Sequence, residues 1–233
     1  MSLDELLLKL FGGAARVTHC GAVFSGEGVL NGAPVALFGT AGGAPLSAAG
    51  AHTLAGAILK EIKQDGGRPL LILLDNLSQK LALSEELIGN CRYFAHLAQC
   101  IDMAARKGRR VIALVYKQAI SGGFMAAGMS ARVCFALPEA ELRVMDLAAM
   151  ARITKQPLER LKSLQEGSPV FAPGVQNFWA LGIIESLWEG DLAMHLAEAL
   201  DEKRTFKSWR QLGEERGGRT LARFASEAVR SHA

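Results

Sequence analysis

The sequence predicts an α/β fold centred on a parallel sheet. Two apolar runs point to it, Pro69-Leu-Leu-Ile-Leu-Leu74 and Val111-Ile-Ala-Leu-Val-Tyr116. Both have the length of a strand and neither alternates with polar residues, which is the pattern of strands covered on both faces. Between them a helical stretch opens at Ser84-Glu-Glu, with a capping residue and early carboxylates, and closes on Arg106-Lys107-Gly108. The third observation is a glycine pair close behind the second run, Ser121-Gly122-Gly123, opening another helix. Right-handed crossovers make such strands parallel and put ligand-binding residues at their carboxyl ends.

The remaining elements follow in order. Residues 14–24 alternate weakly and predict a strand. Asn31-Gly32 sits between apolar runs and predicts a hairpin, because both turn residues tolerate positive φ. Gly26-Glu-Gly28 has no helix directly behind it, so a dinucleotide fingerprint is not supported. The small-residue loop Gly39-Thr-Ala-Gly-Gly-Ala-Pro45 leads to a helix over about 47–64. Beyond the glycine turn, Arg132-Val-Cys-Phe-Ala-Leu137 and Glu141-Leu-Arg-Val-Met145 predict strands. Residues 147–233 are expected to be helical, over 154–165, 174–182, 190–201 and 215–230, with breaks at Gly167-Ser-Pro169 and Phe171-Ala-Pro-Gly174. The whole of 1–233 is expected to be one domain, with its core in 1–146.

Bulk properties exclude several classes. Half of the 233 residues are hydrophobic, which argues for a packed core and against disorder. The formal charge of +3 is spread along the chain, unlike the clustered basic footprint of a nucleic-acid binder. No apolar run approaches a membrane span, and the leucine-rich start has acidic residues where a secretory signal wants basic ones. The four cysteines, Cys20, Cys91, Cys100 and Cys134, form no CxxC pair and read as reduced, mostly buried thiols of a cytoplasmic protein. His96 and Cys100 share a helix face and His19 abuts Cys20, but isolated pairs fall short of a metal site, and no metal is expected.

The glycine turn carries the chemistry. Glycine lets main chain approach a ligand without a Cβ between them. The first turn of a helix leaves its N–H groups unpaired at the positive end of the dipole. Backbone amides of Gly122 and Gly123 placed there would stabilise negative charge on an oxygen. The competing reading is a tight turn that needs glycine only for packing. Ser121 lacks a G-x-S-x-G elbow and reads as a turn residue whose hydroxyl lines the pocket. Asp75 and Asn76, at the end of the first apolar run, either position substrate or cap the next helix or turn. Tyr116 is a candidate proton donor or a core tyrosine. His52 and His96 read as satisfied, partly buried histidines, and Phe171, Phe178 and Trp179 as packing residues between C-terminal helices or against a partner.

Taken together, the hairpin start, the strand ending in Asp-Asn and the glycine pair resemble the crotonase superfamily. Ala119-Ile-Ser-Gly-Gly-Phe-Met-Ala-Ala-Gly128 resembles the glycine turn of acyl-CoA carboxyltransferase subunits. Met150-Ala-Arg-Ile-Thr-Lys155, Pro157-Leu-Glu-Arg-Leu161 and Ser168-Pro-Val-Phe-Ala-Pro-Gly174 are similar to the gamma subunit of biotin-independent malonate decarboxylase, and Gly182 and Gly217-Gly-Arg219 agree. The resemblance implies a crotonase-like core of ββα units in a spiral, with a C-terminal helical region facing a partner. It implies a carboxy-lyase subunit that, with a beta subunit, converts malonyl-S-acyl carrier protein to acetyl-S-acyl carrier protein and CO2. It further implies a larger assembly with an alpha subunit and the carrier protein. It implies, too, that no cofactor is bound directly and that the substrate rides on the carrier's prosthetic arm. One departure is that relatives continue the strand-end aspartate with a glycine-containing turn, whereas Asp75-Asn-Leu-Ser-Gln79 has none.

Two other functions compete. An enoyl-CoA hydratase or isomerase on this fold needs a carboxylate for water or proton handling. Hydratases of the superfamily place a glutamate two residues past the glycine pair, where this chain has Met125. A non-catalytic scaffold subunit would fit the apolar C-terminal helices and the lack of an obvious acid–base pair. Arg152, Lys155, Arg160 and Lys162 form either a patch for an acidic carrier or a solvated helix face.

Overall fold

A computed structural model describes residues 1–64, 66–167 and 173–231. The expected break at Ser168-Pro169 and the packing expected of Phe171 lie outside the described residues.

The chain opens with α1 (Leu3–Phe11), fixed by a capping box in which Ser2 and Glu5 exchange side-chain and main-chain hydrogen bonds. β1 (Ala15–Cys20), β2 (Val23–Leu30) and β3 (Ala33–Thr40) form an antiparallel meander. The single strand expected over 14–24 is thus a hairpin bending at Gly21 (φ +61°). The Asn31-Gly32 turn is present, with φ of +52° and +81°. β4 (Leu70–Asn76), β5 (Val111–Ile120) and β6 (Val133–Ala136) then add in parallel to β3, and the short β7 (Glu141–Arg143) pairs with the end of β5.

Alternate residues of the central strands feed two cores. Ile72, Leu74, Ala113 and Val115 face α2 (Ala48–Ile62), α4 (Asn90–Arg106) and α5 (Ser121–Ala127). Leu71, Leu73, Ile112, Leu114 and Tyr116 face α1 and α9 (Leu192–Leu200). At about 25 cal/mol per Å² of apolar area removed from water, this double-sided burial is the main favourable contribution to folding.

The long helix expected from Ser84 is broken. α3 (Leu83–Leu87), whose N-cap Ala82 makes no side-chain bond, is separated from α4 by Gly89 at φ +71°. The C-terminal region holds α6 (Leu147–Thr154), α7 (Leu158–Gly167), α8 (Val175–Ala180), α10 (Trp209–Glu215) and α11 (Ala222–Ser231). The helix expected over 154–165 is α7 and starts only at Leu158, because Lys155 turns left-handed and Pro157 comes next but one; α6 before it was not expected. That expected over 215–230 is α11 and begins only at Ala222, beyond Gly217-Gly218; α10 before it was not expected. Cys100 and Cys134 are buried but Cys20 and Cys91 are exposed, so the expectation of mostly buried thiols fails for half of them.

Candidate functional site

Three strand ends converge on one edge of the sheet. β3 ends at Thr40 and leads to loop 41–46, β4 ends at Asn76 and leads to loop 77–80, and β5 runs straight into α5. The two loops are tied together: Leu46 N–H donates to Ser78 O at 2.8 Å and Lys80 N–H to Leu46 O at 2.7 Å. The register of β4 on β5 jumps here, from Leu74 opposite Val115 to Asn76 opposite Ala119. Such a bulge re-aims side chains, and bulges recur beside active sites.

At the start of α5, Ser121 adopts φ +57°, a left-handed conformation that costs a residue with a Cβ about 1 kcal/mol or more. The turn is half-exposed at Ser121 and Gly122 and buried at Gly123. Gly122 N–H donates to Gln79 Oε1 at 2.8 Å, and the Ser121 hydroxyl donates to the same oxygen at 3.1 Å. A Cβ on Gly122 would collide with that amide, and one on Gly123 would collide with Asn76 Nδ2. Both glycines are therefore required by close-packed side chains, while the Gly122 amide is aimed at a carbonyl oxygen supplied from another loop.

Asn76 is fully buried, and neither its Nδ2 nor its Oδ1 has a hydrogen-bond partner; the same holds for Asp75 Oδ1. Neither residue caps a helix or turn with its side chain among the described residues. Asp75 N–H donates to Thr40 Oγ1 at 3.1 Å, and its carboxylate neighbours Gly43 of loop 41–46. Tyr116 belongs to the core beneath α1 and α9, 1% exposed, with its hydroxyl donating to Thr40 O at 3.3 Å. Burial, and then the Asp75 charge, raise its phenol above the ordinary value, which makes it a poorer acid. As a substrate-contacting proton donor it is corrected to a support for the Thr40 strand end.

The structure thus brings Ser121, Gly122, Gly123 and Asn76 together, sets Asp75 against loop 41–46, and withdraws Tyr116 into the core. The residue that the sequence reading missed is Gln79. A loop without glycine, at the end of a strand whose neighbour ends in a glycine pair, was the available signal. Glu85 was also missed: its buried carboxylate accepts Ala48 N–H at 2.7 Å at the start of α2 and lies 3.7 Å from Lys80. A cavity of about 520 Å³ lies elsewhere, between the end of β7, α6, α8 and residues 218–222. Phe178 is buried and meets Phe124 edge-on at 5.8 Å, whereas Trp179 is partly exposed beneath the Arg216 guanidinium. His96 approaches Cys100 Sγ at 3.7 Å, but the described residues contain no group of three potential metal ligands, and no helix among them is long and apolar enough to cross a membrane.

The sequence model of the malonate decarboxylase gamma subunit (MdcE) matches residues 41–233. A malonyl-S-ACP:biotin-protein carboxyltransferase (MADD) of Malonomonas rubra is 32% identical over 178 residues, 70% of this chain. The chain spans 61% of the length of that curated relative. Among solved structures, a chain of a Pseudomonas malonate decarboxylase hetero-tetramer in complex with coenzyme A superposes with a TM-score of 0.81 at 24% identity, covering 98% of both chains. A chain of the Pseudomonas malonate decarboxylase MdcD-MdcE hetero-dimer superposes with a TM-score of 0.75 at 26% identity, covering 97% of this chain and 95% of the other. The crotonase-like, carboxyltransferase-type α/β fold is the fold of this chain.

Proposed function

The chain belongs to the malonate decarboxylase gamma subunit family, and from that premise we propose that it supplies one side of a two-subunit site that decarboxylates a malonyl thioester. The substrate is malonyl-S-acyl carrier protein, presented on the carrier's prosthetic arm, and the products are acetyl-S-acyl carrier protein and CO2. The partner is a beta subunit, within an assembly that also holds an alpha subunit and the carrier. The relative from Malonomonas rubra, whose name pairs malonyl-S-ACP with carboxyl transfer, and the hetero-dimeric Pseudomonas structure support this reading.

The chemistry asks for stabilisation of an oxygen. When the carbon–carbon bond to the carboxylate breaks, its electron pair passes to the α-carbon and the thioester oxygen, and a proton then converts the enolate to the acetyl group. Donors fixed before the reaction and aimed at that oxygen lower the barrier without reorganising. The Gly122 amide, half-exposed and already donating to a neutral carbonyl oxygen at 2.8 Å, is the observation that carries the reading. Gly123, with its N–H in the same first helical turn, is its companion, and Ser121 and Asn76 add polar groups beside them. Asp75 acts through the loop 41–46 that it abuts.

Exposed apolar side chains of the segment behind β4 (Leu77, Leu81, Leu83, Leu87 and Ile88) and of α5 (Met125) supply a seat for the beta subunit. Closing a partner over them excludes water and strengthens the amide–oxygen interaction. Phe224 and Val229 of α11 are exposed as well.

Malonyl-thioester decarboxylation measured with each subunit alone and then mixed tests the shared site. Turnover is expected only in the mixture, and full turnover by an isolated beta subunit would reduce this chain to a scaffold. Gly123→Val is expected to abolish turnover while the complex still assembles, because its side chain is forced against Asn76 and tips the first-turn amides off the oxygen, and losing the aim of one such donor costs about 3–4 kcal/mol of barrier. Undiminished turnover in that variant removes the oxyanion role.

A further inference from the structure

We infer that the side-chain amide of Gln79 is an internal plug, a stand-in for the substrate oxygen that must swing aside before the glycine turn can act. This inference rests on the oxyanion reading of Gly122 and Gly123. Gln79 Oε1 is an amide carbonyl oxygen, the same kind of acceptor as a thioester oxygen. It takes both outward donors of the turn at once, the Gly122 amide at 2.8 Å and the Ser121 hydroxyl at 3.1 Å. Its Cδ fills the space in front of Gly122, 3.0 Å from where a Cβ would stand. While Gln79 sits there, a substrate oxygen cannot reach the Gly122 amide or the Ser121 hydroxyl.

The plug can move without the loop moving. The backbone on either side is pinned to Leu46 by the bonds through Ser78 O and Lys80 N–H. The Gln79 residue itself is only half-buried, and its side chain turns about three single bonds toward solvent. An independent sign of a ligand lies alongside. Asn76, fully buried, keeps both polar side-chain atoms unpartnered, and its Nδ2 abuts Gly123. Buried amides are nearly always paired, so unpaired ones beside the turn mark a place where a polar atom of another molecule is expected.

A plug taxes binding rather than chemistry, because only the fraction of molecules with Gln79 displaced accepts substrate. In the assembled complex, Gln79→Ala is therefore expected to lower KM for malonyl-S-acyl carrier protein about 3- to 10-fold, the range set by net hydrogen-bond strengths, with the product-inhibition constant of acetyl-S-acyl carrier protein falling by the same factor. Gln79→Glu keeps the shape and puts a carboxylate at the helix start, a stronger partner for the amide, and is expected to raise KM at pH 7.5 and to relax toward the parent as pH falls into the carboxylate range. An unchanged or raised KM in Gln79→Ala, or an unchanged or lowered KM in Gln79→Glu, overturns the plug. Gly123→Val separates the two ideas. Loss of turnover there alongside an unchanged KM in Gln79→Ala defeats the plug alone, whereas full turnover in Gly123→Val defeats the oxyanion reading beneath it.

Discussion

Replacing the paired glycines singly by alanine separates two kinds of close packing. At Gly122 the new methyl group meets the amide of Gln79, the far end of a half-buried side chain. Gln79 can leave, and its bonds to Gly122 N–H and the Ser121 hydroxyl are then lost, at about 0.5–1.5 kcal/mol net each. Against that, alanine gains up to about 1 kcal/mol over glycine in a helical conformation. The balance is a loss of about 0–3 kcal/mol. At Gly123 the methyl meets Asn76, fully buried, with Cγ at 3.2 Å and Ser78 O at 3.4 Å behind it. Nothing there can rotate into solvent, and overpacking of that kind costs about 1–3 kcal/mol or more. Removing Gln79 changes only the first case. In a Gln79→Ala background, Gly122→Ala is expected to become stabilising by about 0.5–1 kcal/mol, while Gly123→Ala stays destabilising. Urea unfolding followed by tryptophan fluorescence reads the cycle, with a coupling between positions 79 and 122 of about 1–3 kcal/mol. Additivity within about 0.5 kcal/mol would refute the reasoning, since two residues whose packing excludes each other cannot behave independently.

Other outcomes rest on the same kind of geometry. Arg68 grips the buried carboxylate of Glu61 with two bonds, at 2.6 and 2.7 Å, so Arg68→Ala strands a buried charge and should cost about 2–4 kcal/mol in urea unfolding, whereas Arg68→Lys recovers part of it. Glu85→Ala removes the buried acceptor of Ala48 N–H and should cost about 1–3 kcal/mol, lost equally in Glu85→Leu if the hydrogen bond rather than the side-chain volume matters. Burial pushes the Cys134 thiol up to about 12 from 9.0, so the neutral thiol is the folded form. Its contribution to stability is complete below pH 9 and is lost as pH rises from 9 toward 12, because the unfolded chain ionises first. At pH 8 a thiol reagent should label exposed Cys20 and Cys91 in the native protein and reach Cys134 only on unfolding; rapid native labelling of Cys134 would contradict its burial.

Much of the fold was legible because short-range chemistry specifies it. Unbroken apolar runs at 70–74 and 111–116 could only be strands covered on both sides, and the Asn31-Gly32 pair could only turn a hairpin. The boundaries read wrongly were those where one residue redirects a periodic pattern. Gly89 splits α3 from α4, Lys155 with Pro157 splits α6 from α7, and Gly21 folds one expected strand into two. α1 was not expected from the sequence, although the Ser2–Glu5 spacing of its capping box lies there in plain view.

For the site, Asp75, Asn76, Ser121, Gly122 and Gly123 were legible from their places at the ends of parallel strands, which deliver their carboxyl ends to one edge, and from the glycine pair at a helix start. Which group faces which was decided by the tertiary structure. Gln79 reaches Gly122 across a separation of 43 residues, and Tyr116 is turned into the core by the register of its strand. A chain's local pattern determines which segments become strands and which turns need glycine. It carries no record of which distant side chain fills the space a glycine leaves, because that contact exists only once the two strands lie side by side.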